Sequence, residues 1–126
     1  MKLAFVVQRY GADIAGGSEA HCRDLAERLS ARHDITVLTT CARDYVTWAN
    51  ASPAGTTRER GVTVTRFAVA EPRQLTAFAD LSDEVFDGRS PVARQNAWFR
   101  ANGPMTPDLI EHLRTQGHRY DLVLFW

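Results

Sequence analysis

The chain has 126 residues, of which 44% are hydrophobic and 24% are charged, and its 15 basic residues balance its 15 acidic residues. This length is enough for one domain with a buried core and leaves little room for two. Because the net charge is zero, nothing in the bulk charge attracts the chain to nucleic acid, and we predict no nucleic-acid partner.

The first part of the chain predicts a strand, a helix and a second strand. Residues 3–7 form a continuous apolar run, which is typical of a strand buried on both faces of a parallel sheet. Residues 18–32 carry apolar side chains at helical spacing, and Ser18 is the predicted N-cap. The β-branched residues at 35–40 predict the second strand. This order predicts a right-handed βαβ unit.

The rest of the chain predicts further elements of an α/β domain. Residues 41–61 lack periodicity and contain proline and glycine, so we predict a long surface loop. The elements predicted after it are a strand at 62–69, two helices within 73–101 that separate near 87–91, a helix at 107–116 and an apolar strand at 120–126. Together these elements predict a Rossmann-like parallel sheet with flanking helices.

Several apolar and sulfur-bearing residues have ordinary structural interpretations. Cys22 and Cys41 match no zinc or redox spacing, so we expect reduced, buried thiols. Trp48, Trp98 and Phe99 have ring faces that suit stacking on sugars, but burial in the core is the favoured interpretation.

The connection between the first strand and the first helix contains Gly11, Gly16 and Gly17. Its spacing does not match the GxGxxG dinucleotide fingerprint, and the second strand ends in Thr39-Thr40, where a ribose-binding carboxylate would be required. It does not match a Walker loop either, because Gly17 stands where the phosphate-binding lysine belongs. These departures count against a nicotinamide or flavin cofactor and exclude a P-loop.

The pair Gly16-Gly17 still allows an anionic ligand to approach the helix. Without side chains, the backbone N–H groups at a helix N-terminus are accessible, and the helix dipole favours negative charge there. We therefore predict that Gly16→Val or Gly17→Val costs more activity than stability. The alternative is that the two glycines only permit a tight turn into the helix.

The sequence resembles the N-terminal domain of GT-B glycosyltransferases, specifically the retaining enzymes of family 4. The residues that carry this resemblance are KLAFVVQRYG at 2–11, GGSEAHCRDLAERLSARHDITVLTT at 16–40, GVTVTRF at 61–67 and YDLVLFW at 120–126. The resemblance implies that residues 1–126 are an incomplete, acceptor-side, Rossmann-like domain, with the donor-binding domain C-terminal to it. The end of the chain at the close of an apolar strand supports the same expectation, with a natural edge strand as the alternative.

The resemblance also implies which residues contact substrates. Gly16 and Gly17 would supply backbone donors to the diphosphate of the donor, while Ser18 and Glu19 would shape the loop. Protein positive charge and helix dipoles would stabilise the departing diphosphate.

On the acceptor side, the resemblance makes Arg9 and Tyr10 candidates. His21 is a candidate for the same cleft, with an ordinary polar helix position as the alternative. No metal or other cofactor is implied, and the chain contains no DxD motif and no His/Asp cluster.

The implied activity is transfer of a sugar, with retention, from a nucleotide-sugar donor to a sugar or lipid-linked acceptor. We expect these 126 residues alone to be inactive, because the donor-binding residues would lie in the C-terminal domain. We also expect a cytoplasmic location, with peripheral contact to the inner face of the membrane. Two alternatives remain open, namely a non-enzymatic flavodoxin-like module and a GT-B sugar-nucleotide epimerase.

Overall fold

The structure is a computed structural model that describes residues 1–126 as an α/β domain. Its strands are β1 (Lys2–Val6), β2 (Asp34–Thr40), β3 (Gly55–Glu59), β4 (Val62–Phe67) and β5 (Leu122–Phe125). Its helices are α1 (Gly17–Leu29), α2 (Leu75–Phe86), α3 (Val92–Asn102) and α4 (Pro107–Gln116), and a short 3-10 turn follows at Gly117–Arg119. The predicted α/β class is confirmed.

The strands form one mixed sheet in the order β3-β4-β2-β1-β5. The pairs β4-β2, β2-β1 and β1-β5 are parallel, so four neighbouring strands point the same way. The chain moves outward from β1 to β2 and β4, and then crosses back to add β5 on the other side of β1. The order of the strands therefore reverses between β1 and β5, which is where open α/β sheets bind ligands.

The prediction of an all-parallel sheet is wrong at one edge, because the predicted loop 41–61 contains β3. This strand pairs antiparallel with β4 from Gly55↔Arg66 to Glu59↔Val62. Arg60 and Gly61 form the two-residue turn between them, and both have positive φ, 47° and 85°, as a tight hairpin requires. The sequence GTTRE of β3 has no apolar face, so periodicity could not reveal this exposed edge strand.

Apolar side chains pack on both faces of the sheet, as predicted for β1. Leu3 and Phe5 point to one face, where they join a cluster that includes Cys22 of α1. Ala4 points to the opposite face and packs with Leu38 and Leu109, the latter from α4. Since side chains alternate along a strand, β1 is covered by α1 on one side and by α4 on the other.

The two predicted helices at 73–101 are confirmed, but the core position favoured for Trp98 and Phe99 is wrong, because Trp98 is only half-buried and Phe99 is exposed. Neither α2 nor α3 contains a buried residue. Leu75 and Phe86 of α2 are exposed, and so are Val92 and Phe99 of α3. The two helices pack on each other through Trp98, whose ring lies 5.7 Å from that of Phe78 and 5.4 Å from that of Phe86. None of the helices is both long enough and apolar enough to cross a bilayer.

The N-terminus of α1 differs from the prediction. The helix begins at Gly17, so Gly16 occupies the N-cap position and Ser18 lies inside the first turn. No side chain caps this end. The carbonyl of Gly16 accepts the first helical hydrogen bond, from the N–H of Ala20 at 2.9 Å.

Candidate functional site at the carboxyl edge of the sheet

An open cavity of about 280 Å³ lies where the strand order reverses. Val6 and Val7 line it from the end of β1, and Phe125 and Trp126 line it from the end of β5. Gly103 closes it from the segment that precedes α4. We call this space the switch-point cavity. Its position at the carboxyl ends of parallel strands is the common ligand position in this class of sheet.

Gly16 and Gly17 have different surroundings although they are adjacent. Gly16 has a φ of 149°, and a Cβ atom there would overlap the carboxylate of Glu19. Gly17 has no positive φ, and a Cβ atom there would meet nothing within 4 Å. Gly16 is therefore required by the packing of the loop, whereas Gly17 leaves the helix N-terminus open.

Arg9 and Glu19 form a buried ion pair next to this loop. The Nε and Nη2 atoms of Arg9 donate to Oε1 of Glu19 at 3.0 and 2.5 Å. Only 9% of the Arg9 side chain and 11% of the Glu19 side chain are exposed. Arg9 also donates to the carbonyls of Arg43 at 3.2 Å and Ala15 at 3.3 Å. Glu19 thus holds the loop through Arg9, and Arg9 presents no unpaired charge to the cavity.

Two further arginines bind carbonyls of the same loop. Nη1 of Arg23, from α1, donates to the carbonyl of Gly11 at 2.8 Å. Nη2 of Arg66, from β4, donates to the carbonyl of Tyr10 at 3.1 Å. The loop after β1 is therefore held in one conformation before any ligand binds.

The remaining predicted site residues are divided between the core and the surface. Tyr10 is buried in the core beneath α1, and burial strongly raises the pKa of its phenol. Ser18 is exposed at the start of α1. His21 is also exposed, and its Nδ1 accepts a hydrogen bond from the indole Nε1 of Trp126 at 3.0 Å. The structure thus links His21 to the switch-point cavity through Trp126, leaves Gly17 and Ser18 outside the lining of that cavity, and places Tyr10 in the core.

A second cavity, of about 490 Å³, lies beyond the carboxyl end of β4. We call it the β4 cavity. Arg73, Ala77 and Arg100 are among the residues that line it, together with Trp48. Sequence reasoning missed this cavity because its walls come from segments far apart in the chain. Trp48, assigned to the core by the sequence, is 4% exposed. Its indole donates to the carbonyl of Asn102 at 2.7 Å.

Comparison with known proteins found no match, since no family model, no curated protein and no solved structure matches the chain. Within the chain, no group of three or more His, Cys, Asp or Glu side chains is placed to hold a metal ion. The resemblance to glycosyltransferases therefore stays a prediction. The geometry itself is that of an α/β domain with an open helix N-terminus and two cavities beyond the carboxyl ends of its strands.

Proposed function

We propose that this chain is the acceptor-side, Rossmann-like domain of a retaining GT-B glycosyltransferase. The observation that carries the proposal is the open N-terminus of α1 at Gly17, in the connection that follows the carboxyl end of β1. Trp126 lines the switch-point cavity, and its indole donates to His21, one turn into α1, so this helix contacts one residue of the cavity lining. A phosphate bound at this helix end would lie beyond the carboxyl end of β1, one of the two strands between which the strand order reverses.

The N-terminus of α1 would assist sugar transfer by stabilising negative charge on the diphosphate. The N–H groups of Gly17, Ser18 and Glu19 belong to the first turn of α1 and have no helical partner, and no side chain caps them. They are donors for the oxygen atoms of a diphosphate, and the dipole of α1 favours the negative charge that grows as the sugar departs. The Arg9–Glu19 pair keeps these donors in place.

The proposed partners are a nucleotide-sugar donor and a sugar or lipid-linked acceptor. In this proposal a second domain supplies the remaining contacts to the donor, and the enzyme works in the cytoplasm with peripheral contact to the membrane. The 126 residues without that domain transfer no sugar.

The test uses the protein encoded by the whole reading frame that contains these residues. It compares this wild-type protein with two glycine variants. Transfer from a panel of UDP-, GDP- and ADP-sugars to membrane-derived acceptors is measured for the wild type, Gly17→Val and Gly117→Val. Gly117 is the matched control, because a Cβ atom there also meets nothing within 4 Å. We expect Gly17→Val to lower kcat/KM by about 100-fold at unchanged stability, because the isopropyl group would block the approach of the diphosphate to the N–H groups of the first turn, an effect comparable with the loss of one preorganised donor. We expect Gly117→Val to retain the wild-type rate.

The alternatives give different results in the same assay. A folded Gly17→Val variant with the wild-type rate would return Gly17 to a purely structural role. Conversion of the sugar nucleotide without transfer would replace the transferase with an epimerase. No binding and no turnover of any sugar nucleotide would favour a non-enzymatic module.

A further inference from the structure

The β4 cavity is large enough for a small organic molecule. Its volume of about 490 Å³ lies within the range usual for ligand sites, roughly 300–1,000 Å³. Much of its wall is apolar, and the side chains that form this part are Ala77, Leu81, Ala101 and Met105. Gly103 lines both this cavity and the switch-point cavity, so the two are neighbours.

One wall of the β4 cavity is formed by Arg73, whose guanidinium group is held only by neutral groups. Nε donates to the carbonyl of Asn102 at 3.0 Å, and Nη2 donates to the carbonyl and to Oδ1 of the same residue at 2.5 and 2.9 Å. Nη1 donates to the carbonyls of Tyr45 and Val46, both at 3.1 Å. All five N–H groups are thus occupied, and none of their partners is a carboxylate. The guanidinium of Arg73 also lies over the rings of Phe78 and Trp48, at 4.6 and 5.6 Å from the ring centres, and forms no ion pair.

Arg100 supplies a second positive charge, at the rim of the cavity. Its side chain is exposed and makes neither an ion pair nor a side-chain hydrogen bond, so its donors are free to bind a ligand. Glu71 is the one carboxylate in the lining, which leaves two guanidinium groups against one acid. The lining therefore carries a net positive charge, which favours a ligand with an anionic group.

We propose that the β4 cavity binds a monoanionic ligand with an apolar body, such as an aryl carboxylate. Arg100 binds the anionic group, Arg73 adds a second positive charge, and the apolar body packs on Ala77 and Leu81.

The test uses naphthalene-2-carboxylate and its neutral isostere, naphthalene-2-carboxamide, at neutral pH. Binding to the whole chain is followed by NMR at the indole N–H of Trp48, which lines the cavity. We expect the carboxylate to bind about 10-fold more tightly, since hydrogen bonds between charged groups are the stronger ones. Equal affinities for the two probes would overturn the proposal.

Two pairs of variants locate the site. Arg100→Gln should abolish the preference for the carboxylate, whereas Arg89→Gln, at an exposed arginine outside the cavity, should retain it. Ala77→Phe should fill the cavity and prevent binding of both probes, whereas Ala79→Phe, on the same helix but outside the lining, should not.

Binding retained in Ala77→Phe, or a preference retained in Arg100→Gln, would contradict the proposed site. These measurements involve no sugar transfer. A negative result here therefore leaves the proposed transferase activity standing, and loss of that activity would leave the binding site standing.

Discussion

Single residues in the loop after β1 show how burial decides the role of a polar side chain. Arg9 was predicted to face an acceptor, but its buried guanidinium requires a counter-charge and finds it in Glu19. Gly16 and Gly17 were predicted to respond alike to valine. The structure separates them, because a side chain at Gly16 would displace Glu19 and cost stability, while one at Gly17 meets open space.

The buried pair leads to a prediction for Glu19→Gln. We expect the free energy of unfolding to fall by about 2–4 kcal/mol, because the variant leaves the Arg9 guanidinium buried without a charged partner. Urea denaturation measures this loss.

Glu27→Gln on the same helix is the control for this measurement. Glu27 lies 3.6 Å from Arg60, whose side chain is 71% exposed. Exposed pairs contribute little, so we expect a change below about 0.5 kcal/mol. Equal losses of unfolding free energy in the two variants would show that the buried Arg9–Glu19 pair stabilises the fold no more than an exposed pair does.

At the scale of elements, α2 and α3 differ from the rest of the fold. They contain no buried residue and depend on contacts around Trp98, whose indole also donates to Oγ of Ser82 at 2.8 Å. Elements with few buried apolar contacts open more readily than a core sheet. The amphipathic pattern of α2 correctly predicted a helix but did not reveal what its apolar face packs against.

We therefore predict that amide hydrogens of α2 and α3 exchange at least about 100-fold faster than those of β1 and β2. Trp98→Ala should accelerate exchange further in both helices and leave the sheet unchanged. Val92→Ala, at a side chain that is 68% exposed, is the control and should change neither. Exchange mass spectrometry measures all three proteins, and uniform protection across helices and sheet would contradict this prediction.

The whole molecule should lose stability in alkali because it buries protonated acidic groups. Burial raises the pKa of Cys22 to about 12, and it also raises that of Cys41. The folded protein keeps these protons after the unfolded chain has lost them. The stability that results is therefore complete below the pKa of an unfolded thiol and is lost as the pH rises toward the folded value.

We predict that the free energy of unfolding falls above about pH 9, by roughly 1 kcal/mol per pH unit for each buried thiol. Cys22→Ala should make this fall less steep. Urea denaturation from neutral to alkaline pH measures the slope, and the difference at neutral pH gives the cost of the cavity separately. The same slope in both proteins would contradict the assignment to Cys22.

The sequence by itself determined those elements that carry a local signal, either a repeating apolar pattern or a residue that starts or ends a helix. The apolar run of β1, the helical spacing of α1, the division between α2 and α3 and the start of α4 at Pro107 were all predictable. The physical reason is that a strand or helix that packs on one core shows its buried faces as a local period of two or of 3.6 residues.

Only the tertiary structure decided the strand order, the antiparallel hairpin of β3, the partner of Arg9 and the two cavities. Each depends on contacts between segments far apart in the chain, as between Arg73 and Asn102. Local propensity carries no information about such partners, because the desolvation of a charge or the pairing of an edge strand is settled only when the segments meet. The carboxyl edge of the sheet, with both cavities, is the result of that long-range packing.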